Sequence, residues 1–251
     1  MARLGGGLLG DALVVSVVAV LAVSALALVF VLFLPDPVLA SRVLSFAVAF
    51  AALFAGAASF RVMALRGVTM DPLAGIALFL ASPGFFLAFL GWLLRALGVE
   101  LAAGPLPLSK LLWYSSGLVI ALALYELGRA ARLLVGLKAW EAAVAVAVPA
   151  AFSAPLCLLL VWAGAPQARV AETLASAVLA ALSLLAFLPV YRGRLSRGLG
   201  LAAAGTAVFA AAIPLGYLVG GVPAVMALYA LSFLAAAAGI IIYGEEKPLV
   251  R

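Results

Sequence analysis

Residue types that build common catalytic and cofactor sites are missing or scarce in this 251-residue chain. It has no histidine and no asparagine, one glutamine (Gln167) and one cysteine (Cys157). Without histidine the chain alone cannot ligate a b-type haem or a histidine-based zinc ion, or build a serine–histidine nucleophile pair. A single cysteine excludes an intrachain disulfide and a cysteine cluster. We predict that the chain carries no haem, flavin or metal of its own.

Charged residues are also scarce, at 10% of the chain, whereas soluble domains contain about 25%. Hydrophobic residues make up 69%, and the mean hydropathy is +1.35. A soluble fold of this length could not bury so many apolar side chains, and the apolar runs are continuous rather than alternating. The predicted fold class is an all-α polytopic transmembrane helical bundle, formed by one integral membrane domain over residues 1–251.

Proline, glycine and charged residues divide the chain into eight apolar stretches, each long enough to cross a bilayer. The predicted spans are residues 12–34, 38–60, 73–97, 111–135, 140–163, 170–191, 199–219 and 222–243. The first exceeds the apolar core of a signal peptide, so we expect it to stay uncleaved. A seven-span alternative would fuse the last two into one apolar run that is broken by Gly220, Gly221 and Pro223.

The basic residues predict the orientation. With eight spans, one side of the membrane holds both termini and 11 of the 15 Lys and Arg residues. These are Arg3, Arg61, Arg66, Arg129, Arg132, Lys138, Arg192, Arg194, Arg197, Lys247 and Arg251. By the positive-inside rule, both termini are cytoplasmic in a multi-pass protein of the cell membrane. The net charge of +6 then reflects orientation, and no nucleic-acid partner is predicted.

The helix over residues 111–135 is longer than the hydrocarbon and is expected to leave it near Leu127. Glu126 is then the acidic residue deepest in the membrane, about one turn from the cytoplasmic edge. Arg129 and Arg132 follow at helical spacing, so the three share nearly one face. Intramembrane charge is costly and often functional, which makes them a candidate polar site at the cytoplasmic mouth, for an anionic head group or a quinone. The alternative, which the sequence favours, is a snorkelling helix end where Glu126 only pairs with Arg129.

Small residues and hydroxyls predict helix contacts. We expect the scattered Ser and Thr hydroxyls to bond their own helix backbone or a neighbouring helix. Tyr114, Ser115 and Ser116 form one cluster, near the outer face. Pairs of small residues four apart predict close backbone approach at Ala52–Gly56, Gly200–Ala204, Gly216–Gly220 and Ala235–Gly239.

One segment resembles a known family. Leu127–Gly128–Arg129–Ala130–Ala131–Arg132 is similar to the L-G-R-x-x-R patch of NrfD/DmsC-type membrane anchors, the multi-span, quinone-reactive subunits of molybdenum oxidoreductases. The match is confined to this segment. The resemblance implies a haem-free, quinone-reactive anchor of an oxidoreductase as one possible function.

Minimal loops, few intramembrane polar groups and many close-packing positions favour a non-enzymatic integral membrane subunit that anchors or completes a larger complex. Its expected partners are the lipid bilayer and other membrane subunits, or a second copy. A small-molecule or ion transporter or channel is the alternative, because Pro83, Pro149, Pro155 and Pro214 interrupt spans. Scarce amides, with 12 Arg against 3 Lys, suggest a thermophile or a GC-rich source.

Overall fold

The computed structural model describes residues 36–66, 72–103, 106–193, 196–219 and 222–246. Within these ranges it contains seven helices and a two-stranded antiparallel hairpin. The helices are α1 (Pro37–Arg66), α2 (Pro72–Leu97), α3 (Leu108–Val135), α4 (Ala139–Trp162), α5 (Gln167–Gly193), α6 (Arg197–Val219) and α7 (Val222–Glu245). The hairpin pairs β1 (Ala102–Ala103) with β2 (Leu106–Pro107) between α2 and α3.

Each of the last seven predicted spans coincides with one helix. The helices run one to six residues past several predicted limits, most clearly in α1, which ends at Arg66 rather than residue 60. Six are long and apolar enough to cross a membrane, and α6 contributes a shorter apolar stretch, Arg197–Ala212. A helical membrane bundle is therefore confirmed. The predicted span 12–34 lies outside the described residues, so the count of eight spans stays a prediction.

Six of the described helices form a closed ring. Helix α1 packs against α2, which packs against α3, and the ring continues through α5, α6 and α7 back to α1. Helix α4 lies outside this ring, where it packs mainly against α5. The buried core therefore lies between the ring helices.

Helices α6 and α7 are in direct backbone contact. A Cβ added to Gly239 would collide with the backbone of Ala202, and one added to Gly198 would collide with the backbone of Tyr243. Contacts thus run in opposite directions along α6 and α7, so these are two antiparallel helices and not one continuous helix. The close approach predicted for the Ala235–Gly239 pair is confirmed here.

Hydroxyls in the described spans mostly bond within their own helix. Ser59, Ser183 and Thr206 each donate to the carbonyl oxygen four residues earlier, at 2.8–2.9 Å. Ser82 instead donates across α1 and α2, to the Gly56 carbonyl oxygen at 3.3 Å. Backbone and side-chain polar groups inside lipid must find such internal partners, and these hydroxyls therefore stabilise packing.

Short connections give the bundle two ends. The basic end contains the last turns of α1, α3, α5 and α7 and the first turns of α2, α4 and α6. Arg66 lies over the Tyr243 ring there, at 5.3 Å from the centroid, and the Glu246 carboxylate accepts the backbone N–H groups of Arg197 and Gly198 at 2.8 and 2.9 Å. At the opposite end of the bundle, the cavity end, α2 ends and α3, α5 and α7 begin.

Candidate functional site

A cavity of about 700 Å³ lies at the cavity end. It is bounded by the end of α2, the first turns of α3 and α5, and the start of α7. Its charged and aromatic lining residues are Trp92, Arg95, Glu100, Lys110, Trp113, Tyr114, Arg169, Glu172 and Tyr229. Small-molecule sites are typically clefts of roughly 300–1,000 Å³, mostly apolar with a few converging polar groups. The volume and the mixed lining match such a site.

Three aromatic side chains from three helices form one wall of the cavity. The ring centroids of Trp92 and Trp113 are 5.1 Å apart. The Tyr229 ring centroid lies 5.8 Å from that of Trp92 and 5.2 Å from that of Trp113. Phe209 and Phe233 pack behind Trp113 and Tyr229. This packing across α2, α3, α6 and α7 fixes the wall, since aromatic pairs at such distances stabilise one another.

Trp92 also leaves a polar group without a partner. The residue is 5% exposed, and its indole N–H is buried without an acceptor in the part of the chain that the structure describes. A buried indole N–H usually finds one. An unsatisfied donor therefore lies beside the cavity.

The rim of the cavity is charged. The Arg95 guanidinium lies over the Trp92 ring, 5.0 Å from its centroid, and Lys110 and Arg169 line the same space. The Tyr114 hydroxyl donates to Glu172 Oε1 at 2.5 Å, which joins α3 to α5. Among the described residues, carboxylate–cation contacts within 4 Å are Glu126–Arg129 and Glu141–Arg192. The three rim cations therefore lack a carboxylate at ion-pair distance within that part of the chain.

Glu126, Arg129 and Arg132 belong to α3 at the basic end, away from this cavity. Arg129 Nη2 lies 2.8 Å from Glu126 Oε2, and its side chain is half-exposed. The approach does not have hydrogen-bond geometry, so Glu126 Oε2 is buried without a hydrogen-bond donor in the described structure. Arg132 is helical, but its side chain lies outside the described part. The pairing predicted from the spacing is present, and a polar site there stays a prediction.

The space beside this ion pair is small. A cavity of about 60 Å³ is lined by Arg129 and Gly128 together with apolar residues of α3 and α5, and it has room for a few water molecules at most. Gly128 lies against the backbone of Ala186, since an added Cβ would be 3.6 Å from its Cα. Leu127 is buried in the core. Gly128 of the L-G-R-x-x-R segment therefore packs against α5, and Leu127 packs in the core.

Sequence reasoning missed a second ion pair at the basic end. Arg192 Nη1 donates to both carboxylate oxygens of Glu141, at 2.9 and 3.1 Å, and Nη2 donates to the Gly136 carbonyl oxygen at 2.9 Å. The Lys138 backbone N–H also donates to Glu141 Oε2 at 2.8 Å. A Glu three residues into a helix start is a recognised capping position, and that spacing was the available signal. The pair holds α4 against α5.

The cavity was missed for a different reason. The sequence placed its lining residues one by one but did not bring them together. Trp92 and Arg95 are at the end of one predicted span, Tyr114 is near the outer face, and Glu172 is near the start of another span. No spacing rule connects residues 58 positions apart, such as Tyr114 and Glu172. In the described part of the chain no three His, Cys, Asp or Glu residues come together to hold a metal ion. The cavity lining offers aromatic contact, charge and hydrogen bonds to a small molecule.

Comparisons with protein-family models, with curated proteins and with solved structures found no significant match. The similarity to NrfD/DmsC-type anchors thus rests on residues 127–132 alone. The functional assignment therefore depends on the cavity and its lining residues.

Proposed function

We propose that this protein is a small-molecule transporter of the cell membrane whose substrate binds in the cavity. The observation that carries the proposal is the cavity of about 700 Å³ lined by four aromatic rings and five charged side chains. Sites between the helices of membrane bundles commonly combine such groups. An anchor subunit does not require such a space, and the candidate quinone site at Glu126, Arg129 and Arg132 lies at the opposite end of the bundle.

The proposed orientation follows the basic residues. The basic end is cytoplasmic by the positive-inside rule, which places the cavity end outside. Substrate then reaches the cavity from the outer face. The Tyr114–Glu172 hydrogen bond joins α3 to α5 at the cavity wall. Helix movement during transport would therefore either break this bond or move the two helices together.

A cavity-filling variant tests this proposal. Ser109 lines the cavity in the first turn of α3, so Ser109→Trp should occupy it. Leu122→Trp is the matched control, because Leu122 is on the same helix and 50% exposed. We expect a library screen by thermal shift to find compounds that raise the Tm of the wild type and of Leu122→Trp but not of Ser109→Trp. The same compounds should be taken up by proteoliposomes that contain the wild type.

Two results would contradict the proposal. One is the absence of any compound whose stabilising effect depends on Ser109. The other is uptake that is equal in wild-type and Ser109→Trp proteoliposomes, since transport would then bypass the cavity.

A second function, the anchor subunit of a larger complex, is favoured by the outer surface of α4. Phe152 and Leu158 are each 71% exposed there, and Trp162 is 88% exposed. Such an apolar surface suits a neighbouring membrane subunit or lipid. Purification in mild detergent followed by native mass spectrometry tests it, because a stoichiometric second chain would support an anchor. A homogeneous single chain that retains uptake would favour the transporter.

A further inference from the structure

We infer that the ligand of the cavity is an amphipathic anion, in which a carboxylate, sulfonate or phosphate is attached directly to a compact aromatic or similarly apolar body. This inference rests on the proposed function, since it presupposes that the cavity binds a small molecule. It goes beyond that function in naming the charge and shape of the ligand.

The charge follows from the rim. Arg95, Lys110 and Arg169 outnumber Glu100 and Glu172 around the cavity. None of the three cations has a described carboxylate within 4 Å, and Glu172 Oε1 already accepts the Tyr114 hydroxyl. An entering acidic group would therefore meet cationic donors without first displacing an ion pair among these residues. Charge-assisted hydrogen bonds of this kind are the stronger class.

The helix directions add to this charge. Helices α3, α5 and α7 all begin at the cavity end, and Ser109, Arg169 and Val222 from their first turns line the cavity. The N-terminus of a helix carries a partial positive charge and unsatisfied N–H groups. Of the four helices that line the cavity, only α2 has its C-terminus there. The backbone thus favours the same sign of ligand charge as the side chains.

The apolar body follows from the wall. Trp92, Trp113 and Tyr229 line the cavity as one packed aromatic cluster. The Arg95 guanidinium is 5.0 Å from the Trp92 ring centroid, so the cationic site and the aromatic wall are adjacent. A ligand that uses both must carry its acidic group next to its ring system, as an aryl carboxylate does.

A cationic ligand fits less well. Aromatic cages for ammonium groups need an open ring face. Arg95 already covers a face of Trp92, and two further cations line the same cavity. An ammonium ligand would meet like charges at the rim.

Three probes that share one ring system test the inference: 2-naphthoate, 2-naphthalenemethanol and 2-naphthylmethylammonium. Binding is measured by calorimetry on the full chain in phosphatidylcholine nanodiscs, with empty nanodiscs subtracted. We expect naphthoate to bind at least about tenfold more tightly than the ammonium probe, the scale of one charge-assisted contact. Arg95→Gln should weaken naphthoate binding by about tenfold and leave the alcohol unchanged.

Matched variants separate charge from packing. Arg42→Gln removes the same charge from the same end of the bundle, where Arg42 lies against Gly98 without lining the cavity itself. Naphthoate affinity should therefore fall clearly less than in Arg95→Gln. If Arg95→Gln does not fold, Arg169→Gln, at an exposed rim position, should reduce naphthoate affinity in the same direction.

The acid could be a free solute or the head group of an anionic phospholipid. Replacing part of the phosphatidylcholine by phosphatidylglycerol distinguishes them. A lower apparent affinity for naphthoate would assign the site to the lipid phosphate, and an unchanged affinity would assign it to a free acid.

Ammonium binding as tight as naphthoate binding would overturn the inference, as would equal losses for naphthoate and the alcohol in Arg95→Gln. If the alcohol binds as tightly as naphthoate and Ser109→Trp abolishes both, the inference fails while the proposed function stands. If no probe binds and the library screen also yields no cavity-dependent compound, both fail.

Discussion

Glu141 and Glu126 both pair with an arginine at the basic end, but their surroundings differ. The Glu141 side chain is 10% exposed, and both of its oxygens bond to Arg192 on another helix. The Glu126 partner, Arg129, lies on the same helix and is 50% exposed. An exposed pair within one helix gains little, because water screens the charges and two side chains lose freedom.

We therefore expect Glu141→Gln to lower the Tm of the purified protein by several degrees. Glu126→Gln should cost only about 0–1 kcal/mol. The reason is that Gln cannot supply the charge that Arg192 meets across the α4–α5 contact. Thermal unfolding in one detergent compares the two directly. Equal Tm values for both variants would refute the distinction.

Two helical glycines differ in the space around them. A Cβ at Gly239 would collide with the backbone of α6, whereas one at Gly117 would meet nothing within 4 Å. Gly239→Ala should therefore destabilise the protein by about 1–3 kcal/mol through overpacking. Gly117→Ala should be neutral or stabilising by up to about 1 kcal/mol, because alanine favours the helix. Denaturant or thermal titration measures both, and a stabilised Gly239→Ala would contradict the backbone contact.

At the scale of elements, α4 stands apart. It contacts mainly α5, and its buried residues are few: Glu141, Ala145, Pro149 and Ser153. These recur every four residues, so one narrow face meets the bundle. The other side chains of the helix are exposed or half-buried.

Tryptophan substitution along α4 should reveal this asymmetry. Val148→Trp and Leu158→Trp replace exposed side chains, 43% and 71% accessible, and should leave the yield of folded protein unchanged. Ala145→Trp places a large ring at a fully buried position and should lower that yield severalfold, since cores tolerate added volume poorly. Fluorescence-detected size exclusion gives the readout. A well-folded Ala145→Trp would show that α4 is not held on that face.

Helix positions were predictable from sequence because each depends on a local apolar run ended by Pro, Gly or charge. Thus Pro72 and Val222 begin helices within one residue of the predicted limits. The place of α4 outside the ring was not predictable, since its composition matches that of the ring helices. The cavity was equally hidden, because Arg95, Tyr114 and Glu172 meet only through the packing of α2, α3 and α5.

At the scale of the whole molecule, the two ends differ in charge and shape, and this difference predicts the orientation. Ala64→Cys places a thiol at an exposed position near the basic end, and Ala163→Cys places one at the cavity end. Both are made in a Cys157→Ser background. A membrane-impermeant maleimide should label Ala163→Cys in intact cells and Ala64→Cys only after permeabilisation. Labelling of Ala64→Cys from outside would invert the proposed orientation.

The contact between α1 and α7 has a consequence for synthesis of the protein. Residues 37–66 leave the ribosome long before residues 222–245, yet the two helices pack side by side and both are extensively buried. Until α7 is inserted, the α7-facing side of α1 must be covered by lipid or by an insertion factor. A nascent chain halted before residue 222 should therefore hold α1 in an open bundle, which quality-control proteases would recognise.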